Sequence, residues 1–404
     1  MILFQINSTC NWGSTGKIAE EIGQLAIKNG WQSFIAYGRN SSSSQSNVIK
    51  VGDKLSLYRH GLESRLMDNH GLASRKATKE LIHLIEQIQP NIIHLHNIHG
   101  YYLNYEILFH YLSKLHIPIV WTLHDCWALT GHCSYFSFIK CEKWMTGCLK
   151  CPQRKMYPTS FFLDNSQENY RRKRNAFTSL PNLVLVPVSN WLGDIVKKSF
   201  LKKYHIQRIY NGVNLEIFTP RENARELKLR LGVTTKKIIL GVANIWEKRK
   251  GLSDFYSLRE RLSEEYIIVL VGLNKKQIES LPSGILGILR TNSLDELVDL
   301  YSAAEIFINP TWEDNFPTTN LEALACGTPI ITYRTGGSIE AVNENTGYVV
   351  EPGDINGIVD AIYEIKERKK NYFAKACRER AIAYFNKIER YQEYLDLYES
   401  LLKK

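Results

Sequence analysis

The sequence predicts an α/β protein built as two doubly wound parallel sheets, and three observations carry that expectation. The chain has 404 residues, too many for one compact core and suited to two domains of roughly 200 each. Short apolar runs alternate with helical patterns along both halves, the rhythm of βαβ units. Between the halves, Asn211-Gly-Val-Asn214 and then Phe218-Thr-Pro220 form a polar break. In the first half, strands are expected at 2–7, 33–37, 90–96, 117–124 and 182–188. Helical patterns fill 18–29, 55–87 and 191–198, with a loose polar loop at 41–46. A strand at 207–210 enters the break, and others follow at 237–242, 267–271, 287–289, 306–309 and 329–332. From 375 onward one long amphipathic helix carries Tyr384, Tyr391, Tyr394 and Tyr398. The expected division is 1–206, with a Cys-rich insertion at 126–152, then 207–380, then a helix 381–404 returning to the first domain.

Composition narrows the class. Hydrophobic residues make up 44% and charged residues 23%, an ordinary globular balance that excludes disorder and fibrous repeats. The chain opens directly on a strand pattern without a basic leader, and no apolar run reaches the roughly 18 residues of a membrane span. A cytoplasmic protein, peripheral on a membrane at most, is the expectation. The net charge is +10, and through residue 210 there are 25 Lys and Arg against 13 Asp and Glu. All the excess positive charge therefore lies in the first half. Such a field suits anionic lipid, nucleic acid or phosphorylated ligands. Arg59, Arg65, Arg75, Lys76 and Lys79, with Leu62, Leu66, Leu72 and Ile82 among them, read as a membrane contact or equally as a solvated helix face. The run Arg171-Arg-Lys-Arg174 is a second basic cluster.

The most specific block lies at 311–330. A strand ending at Asn309-Pro310 is followed by Thr311-Trp-Glu313-Asp314-Asn-Phe-Pro317 and a helix opening near Thr318 or Thr319. A helix N-terminus offers unpaired N–H groups and a positive dipole end, a seat for a diphosphate. Glu322, in the first turn, can accept hydrogen bonds from two ribose hydroxyls, and Asp314 on the loop can bind sugar hydroxyls. Thr318, Thr319 and Asn320 complete the candidate donor contacts.

Four of the eight cysteines, Cys133, Cys141, Cys148 and Cys151, fall within one short stretch, with one pair at Cys-x2-Cys spacing. Four thiolates suit a closed, structural zinc site; free thiols or disulfides are the alternatives. His94 and His96 share one face of a strand, as a metal pair or as satisfied structural histidines. Asn11-Trp-Gly13-Ser-Thr-Gly16-Lys17 fails the P-loop pattern at both ends, with Asn11 and Ile18 at the discriminating positions. An ATPase is excluded.

The 311–330 block, with two acidic positions before Glu322-Ala-Leu-Ala-Cys326-Gly327-Thr-Pro329, resembles the nucleotide-sugar site of the retaining GT-B glycosyltransferases of family 4. The insertion after His124-Asp125-Cys-Trp127 resembles that of its capsule and surface-polysaccharide branch. The resemblance covers nearly the whole chain and implies a GT-B fold. It further implies transfer of a sugar from a UDP- or GDP-sugar to a hydroxyl of a glycan or lipid-linked acceptor, with retained configuration and no catalytic metal. It makes Lys250, in Gly241-Val-Ala-Asn244-Ile-Trp-Glu-Lys248-Arg249-Lys250-Gly251, the diphosphate-binding lysine. Asn244 stands where many relatives have Arg, so Lys248 or Arg249 supplies the second cation; the first carboxylate is Asp314 or its neighbour Glu313. Gly336 and Gly337 form a turn near the donor. Gly13 and Gly16 bring backbone close to donor phosphate or acceptor, and Lys17, Asn97, His99 and Asp125 fall on the acceptor side. His124 contacts the donor sugar near its reacting carbon. The competing readings are a sugar-nucleotide 2-epimerase of the same fold and a zinc-stabilised nucleic-acid-binding protein; the 311–330 block argues against a nucleic acid partner.

Overall fold

The computed structural model describes residues 1–222 and 224–403, which divide into two units. The first comprises Met1–Tyr210 and Tyr391–Lys404, the second Asn211–Arg390. The chain therefore leaves the first unit once and comes back to it.

The first unit holds a seven-stranded parallel sheet in the order β3-β2-β1-β4-β5-β6-β7. Its strands are β1 (Ile2–Asn7), β2 (Gln32–Tyr37), β3 (Asn47–Lys50), β4 (Ile92–Leu95), β5 (Ile119–Leu123), β6 (Leu183–Pro187) and β7 (His205–Ile206). Parallel strands are covered on both faces, so they read as continuous apolar runs; β4, β5 and β6 are buried throughout. The second unit holds a six-stranded parallel sheet in the order β10-β9-β8-β11-β12-β13. These strands are β8 (Lys237–Val242), β9 (Tyr266–Val271), β10 (Ile285–Ile288), β11 (Ile306–Asn309), β12 (Ile330–Tyr333) and β13 (Gly347–Val350). Strand order reverses between β1 and β4 in the first sheet and between β8 and β11 in the second. Ligands of doubly wound sheets bind beyond the carboxyl ends of strands at such switch points. The loops found there are the ones that carry the candidate site residues.

Several elements differ from the expectation. The basic stretch is two helices, Lys54–Met67 and Arg75–Ile88, because Asp68 and Gly71 adopt left-handed backbone between them. β3 and β13 are short edge strands without a long apolar run, so nothing in the sequence pattern marked them. The strand expected at 207–210 ends earlier, at Ile206. The C-terminal helix is two, Lys370–Phe385 and Lys387–Leu402, parted at Asn386, whose extended backbone pairs with Val213.

The last helix explains why the first unit reclaims the C-terminus. Tyr391, Tyr394, Leu395, Leu397 and Tyr398 join Leu3, Ile22, Trp31, Val120, Val186 and Ile209 in one buried cluster. Among the described residues no helix is long and apolar enough to cross a membrane.

Candidate active site

In the second unit, β11 ends at Asn309 and the chain loops through 310–317 into the helix Thr318–Ala325. Pro317 precedes that helix and makes no side-chain cap, so the opening turn presents main-chain N–H groups rather than a capping oxygen. Thr318 and Thr319 are half-buried there. One turn on, Glu322 accepts a hydrogen bond from the Tyr301 hydroxyl at 2.8 Å. Tyr301 is fully buried, and burial together with the carboxylate pushes its phenol well up. It thus serves Glu322 as a fixed donor. Tyr301 lies ahead of the 311–330 block, and its place in a helical apolar pattern gave no sign of this role.

From the neighbouring switch-point strand, β8 leads to a single 3-10 turn, Lys248–Lys250, and then the helix Leu252–Arg259. Lys250 and Asp314 form an ion pair through Nζ and Oδ2. The lysine expected to bind diphosphate and one of the two first-carboxylate candidates therefore meet directly. Glu313 is only 2% exposed, its carbonyl accepting from Arg249 at 3.2 Å, while Asp314 keeps partial exposure beside Lys250. Burial separates the two acidic neighbours: Asp314 is the more exposed of the two. Arg249 also pairs with Glu247 at 3.2 Å, and its carbonyl accepts from the Trp312 N–H at 2.8 Å, so it braces the 311–314 loop. Asn244 is exposed.

Two glycines permit this arrangement. A Cβ on Gly251 would lie 2.2 Å from the Pro310 carbonyl oxygen, and one on Gly336 would lie 1.8 Å from that of Asp314. Both have positive φ, where glycine alone is unstrained. The side chain of Asn320, expected among the donor contacts, is engaged within the second unit. It is wholly buried, its amide accepting from Asn309 at 2.8 Å and donating to Ser338 Oγ at 3.0 Å. Its side chain ties β11 to the turn after β12.

In the first unit, the helix Gly13–Lys28 follows β1. Gly13 and Lys17 are exposed, whereas Gly16 is buried, with room for no Cβ beside Thr9 Oγ1 at 2.6 Å. Gly16 thus packs the turn and Gly13 faces outward. Beyond β4, Asn97 is half-buried and its N–H donates to Asn7 at 3.2 Å. His99 meets Asp125 at 2.8 Å and the Tyr157 hydroxyl at 3.0 Å. Burial raises the Asp125 carboxyl, but His99 and the Trp127 N–H at 2.8 Å outweigh it and hold the group below its usual range. The structure therefore brings His99 and Asp125 together as a pair, beyond the shared loop region that the sequence indicated.

His124 follows β5, half-buried, its Nε2 at 3.2 Å from His96 Nδ1. Burial lowers its pKa to about 4, so the ring is neutral near pH 7. His94 and His96 are satisfied structural histidines: His94 contacts Thr122 at 2.8 Å and Tyr398 at 2.6 Å, and His96 contacts Gln5 at 3.0 Å.

Cys133, Cys141, Cys148 and Cys151 line one small cavity with Phe136 and Trp144. All are free thiols. The Gly131 N–H donates to Cys148 Sγ at 3.1 Å. A Cys133–Cys151 hydrogen bond raises the first thiol's pKa and lowers the second to about 7. Among the described residues, no three His, Cys, Asp or Glu side chains are arranged to hold a metal ion. The thiols share a cavity without forming a coordination shell. In the second basic cluster Arg171 and Arg174 are exposed, and Arg171 and Arg172 are ion-paired. Arg171 and Arg172 pair with Glu168 and Glu106, each at 2.5 Å. Lys173 is buried, 3.6 Å from the centre of the Trp127 ring and donating to its carbonyl at 2.8 Å.

Comparison with known proteins agrees with this geometry. Residues 16–217 match Glycosyltransferase Family 4 and residues 236–368 match Glycosyl transferases group 1. The chain is 24% identical to the putative colanic acid biosynthesis glycosyl transferase WcaC of Escherichia coli (strain K12), over 99% of this chain and 100% of that protein. It is 26% identical to an Escherichia coli UDP-Gal:alpha-D-GlcNAc-diphosphoundecaprenol alpha-1,3-galactosyltransferase, over 50% of this chain and 56% of that one. Among solved structures, sucrose-phosphate synthase from Thermosynechococcus elongatus superposes with a TM-score of 0.73 at 17% identity, covering 100% and 99% of the two chains. Anabaena HepE in complex with UDP gives 0.68 at 15% identity, covering 99% of each. With two doubly wound parallel sheets and family matches over both halves, the chain belongs to glycosyltransferase family 4 and has the GT-B fold.

Proposed function

We propose that this glycosyltransferase moves a sugar from a UDP- or GDP-sugar to a hydroxyl of a glycan or lipid-linked acceptor, with retained anomeric configuration, in the assembly of a surface polysaccharide. The observation that carries the reading is the second unit's cluster: the Thr318 helix opening, the Lys250–Asp314 pair and the Tyr301-anchored Glu322. In this reading the diphosphate lies at the helix opening, where Lys250 exchanges Asp314 for phosphate oxygens and Glu322 accepts from the ribose hydroxyls. Asp314, released from Lys250, binds sugar hydroxyls. As the bond from the anomeric carbon to the diphosphate breaks, Lys250 and the helix N–H groups stabilise the growing negative charge. The acceptor oxygen bonds to the same face of that carbon, and its proton passes to the departing diphosphate oxygen. His124 keeps the donor-sugar contact that the resemblance implies, and Lys17, Asn97 and the His99–Asp125 pair the acceptor side. No step needs a divalent metal.

A basic, apolar surface supports work at the inner face of a membrane. On the helix Lys54–Met67, Leu55, Tyr58, Leu62 and Leu66 are exposed beside Lys54 and Arg59. Exposed Phe161, Phe162 and Leu163 extend this surface, joined by the Phe161 N–H on the Arg65 carbonyl at 2.7 Å. Cosedimentation with anionic but not neutral vesicles is the expected result. The structural zinc suggested by the cysteine spacing belongs to the same proposal, supported by the cavity the four thiols share. About one zinc per purified chain is expected; metal-free protein of unchanged stability removes zinc from the reading.

The deciding experiment is a thermal-shift panel of nucleotides and nucleotide sugars, followed by NMR of the product's anomeric proton. One nucleoside diphosphate should raise the melting temperature, and its sugar should appear in the product with unchanged configuration. A chain that binds no nucleotide at millimolar concentration, or yields an isomerised free sugar without acceptor, defeats the proposal.

A further inference from the structure

The first unit gathers two arginines that no carboxylate answers. Arg59, Arg171 and Arg172 are each ion-paired, but neither Arg39 nor Arg65 has an acidic partner among the described residues. Arg65 lies in the last turn of the helix Lys54–Met67. Its guanidinium is 5.5 Å from the centre of the Tyr101 ring and donates to the Gly61 carbonyl at 3.0 Å. Arg39 follows β2 and is exposed. Its N–H donates to the Ser8 carbonyl at 2.9 Å, and its carbonyl accepts from Lys50 Nζ at 3.4 Å, so its backbone is held from both sides. The turn that carries it packs on the turn after β4. A Cβ on Gly38 would lie 2.2 Å from that of Tyr102, and one on Gly100 would lie 3.7 Å from Arg39 Cδ. Both positive charges therefore act on one phenol, that of Tyr101, against the upward push of its burial.

Tyr101 has a φ of 70°, a region where a bulky residue is strained and which recurs at ligand clamps. His70 packs edge-on against it at 4.8 Å and is 4% exposed, yet neither of its ring nitrogens has a hydrogen-bond partner among the described residues. The next residue is pinned, because the Gly71 N–H donates to His60 at 3.1 Å. Buried polar groups nearly always bond to something. An unanswered imidazole beside two unanswered guanidinia therefore marks a place for a ligand rich in acceptor oxygens.

We propose that Arg39, Arg65 and Tyr101 bind the phosphate of a lipid-linked acceptor, whose tail lies over the exposed apolar side of the helix Lys54–Met67. The word acceptor rests on the sugar-transfer reading, and the proposal chooses within it: a phosphate-bearing lipid, not a free glycan. Position favours the lipid. Arg65 stands between exposed Leu62 and Leu66 in sequence, and its carbonyl accepts from the N–H of exposed Phe161 at 2.7 Å. The anion site thus lies at the edge of the apolar surface. A guanidinium fork matches phosphate oxygens in pairs, and these two need break no ion pair to do so.

The test is flotation of the full chain with phosphatidylcholine vesicles that carry a polyprenyl diphosphate, compared with vesicles matched in charge by a fatty acid. The diphosphate vesicles should bind about tenfold more tightly, and soluble pyrophosphate should compete for the difference. Arg39→Gln and Arg65→Gln should each lose about tenfold in affinity for the diphosphate vesicles, and Tyr101→Phe about threefold. Arg174→Gln, which removes an exposed arginine on another helix, should keep the preference. Should Arg65→Gln melt early through loss of its Tyr101 contact, Arg39→Gln, at an exposed position, decides. Equal binding to both vesicles means a surface that reads charge alone, and it overturns the proposal. So does a preference that survives Arg39→Gln, or one that pyrophosphate cannot reduce. No vesicle measurement involves a nucleotide, so its failure leaves sugar transfer standing. Selective vesicle binding by a chain that binds no nucleotide defeats sugar transfer alone.

Discussion

Glu322 and Lys250 sit in one cluster but should fail differently when removed. Glu322→Ala removes hydrogen bonds to a charged group, worth roughly 1.5–3 kcal/mol, so nucleotide affinity should fall about ten- to a hundredfold by calorimetry. Lys250→Ala should leave affinity nearer wild type and lower kcat by roughly a hundred- to a thousandfold, the range for losing a charge-stabilising donor. Equal losses of affinity and turnover in both variants would contradict the assignments. Tyr301→Phe, which frees Glu322 from its 2.8 Å donor, should cost a smaller factor, about three- to tenfold in affinity. Asp314 and Glu322 could be singled out from the loop and helix opening that they flank, whereas Lys250 entered only through the family resemblance. Tyr301 was not legible, since a buried tyrosine looks the same whether it fills space or holds a partner. Nor was it legible that helix phase turns the Asn320 side chain inward to Asn309 and Ser338.

At the scale of elements, the site depends on backbone closeness as much as on side chains. The turn after β12 touches the 311–317 loop only because Gly336 has no Cβ to strike the Asp314 carbonyl. Gly336→Ala should therefore destabilise the second unit by roughly 1–3 kcal/mol, read as a lower urea midpoint, and displace Asp314 from Lys250. An unchanged midpoint would mean the turn relaxes without loss. Most core strands were readable because burial on both faces leaves an unbroken apolar signature. The edge strands β3 and β13 lack it. The two breaks inside helical patterns, at Asp68–Gly71 and at Asn386, depend on local backbone conformation and on pairing with Val213, neither of which periodicity reports.

For the molecule as a whole, stability should depend on pH through the first unit's interior. His60, His70, His94, His96 and His124 all have pKa values lowered chiefly by burial. Above about pH 6.5 they are neutral in both folded and unfolded chains and cost nothing. As pH falls below 6.5 the unfolded chain takes up protons that the folded one refuses, so stability drops by up to about 1.4 kcal/mol per pH unit for each such group. The loss from His124 levels off near its folded pKa of about 4, and that from His60 near about 3. His132, which burial lowers but the hydrogen bond and charge of Asp68 together with Cys151 raise by more, titrates with the opposite sign. Urea midpoints should decline steeply from pH 6 to 4.5; a flat profile over that window would mean that these rings are solvated.

The return of Tyr391–Lys404 to the first unit also sets an order of events during synthesis. A ribosome makes the first 210 residues early, yet Tyr394 and Tyr398, which close over Thr122 and His94, are made only after the whole of Asn211–Arg390. The nascent first unit must wait with its interior unsealed while the second unit is made and completes itself. A chain truncated after residue 390 should thus combine a protease-resistant second half with a protease-sensitive first half. Proteins usually acquire resistance from the N-terminus onward; this chain should acquire it in reverse.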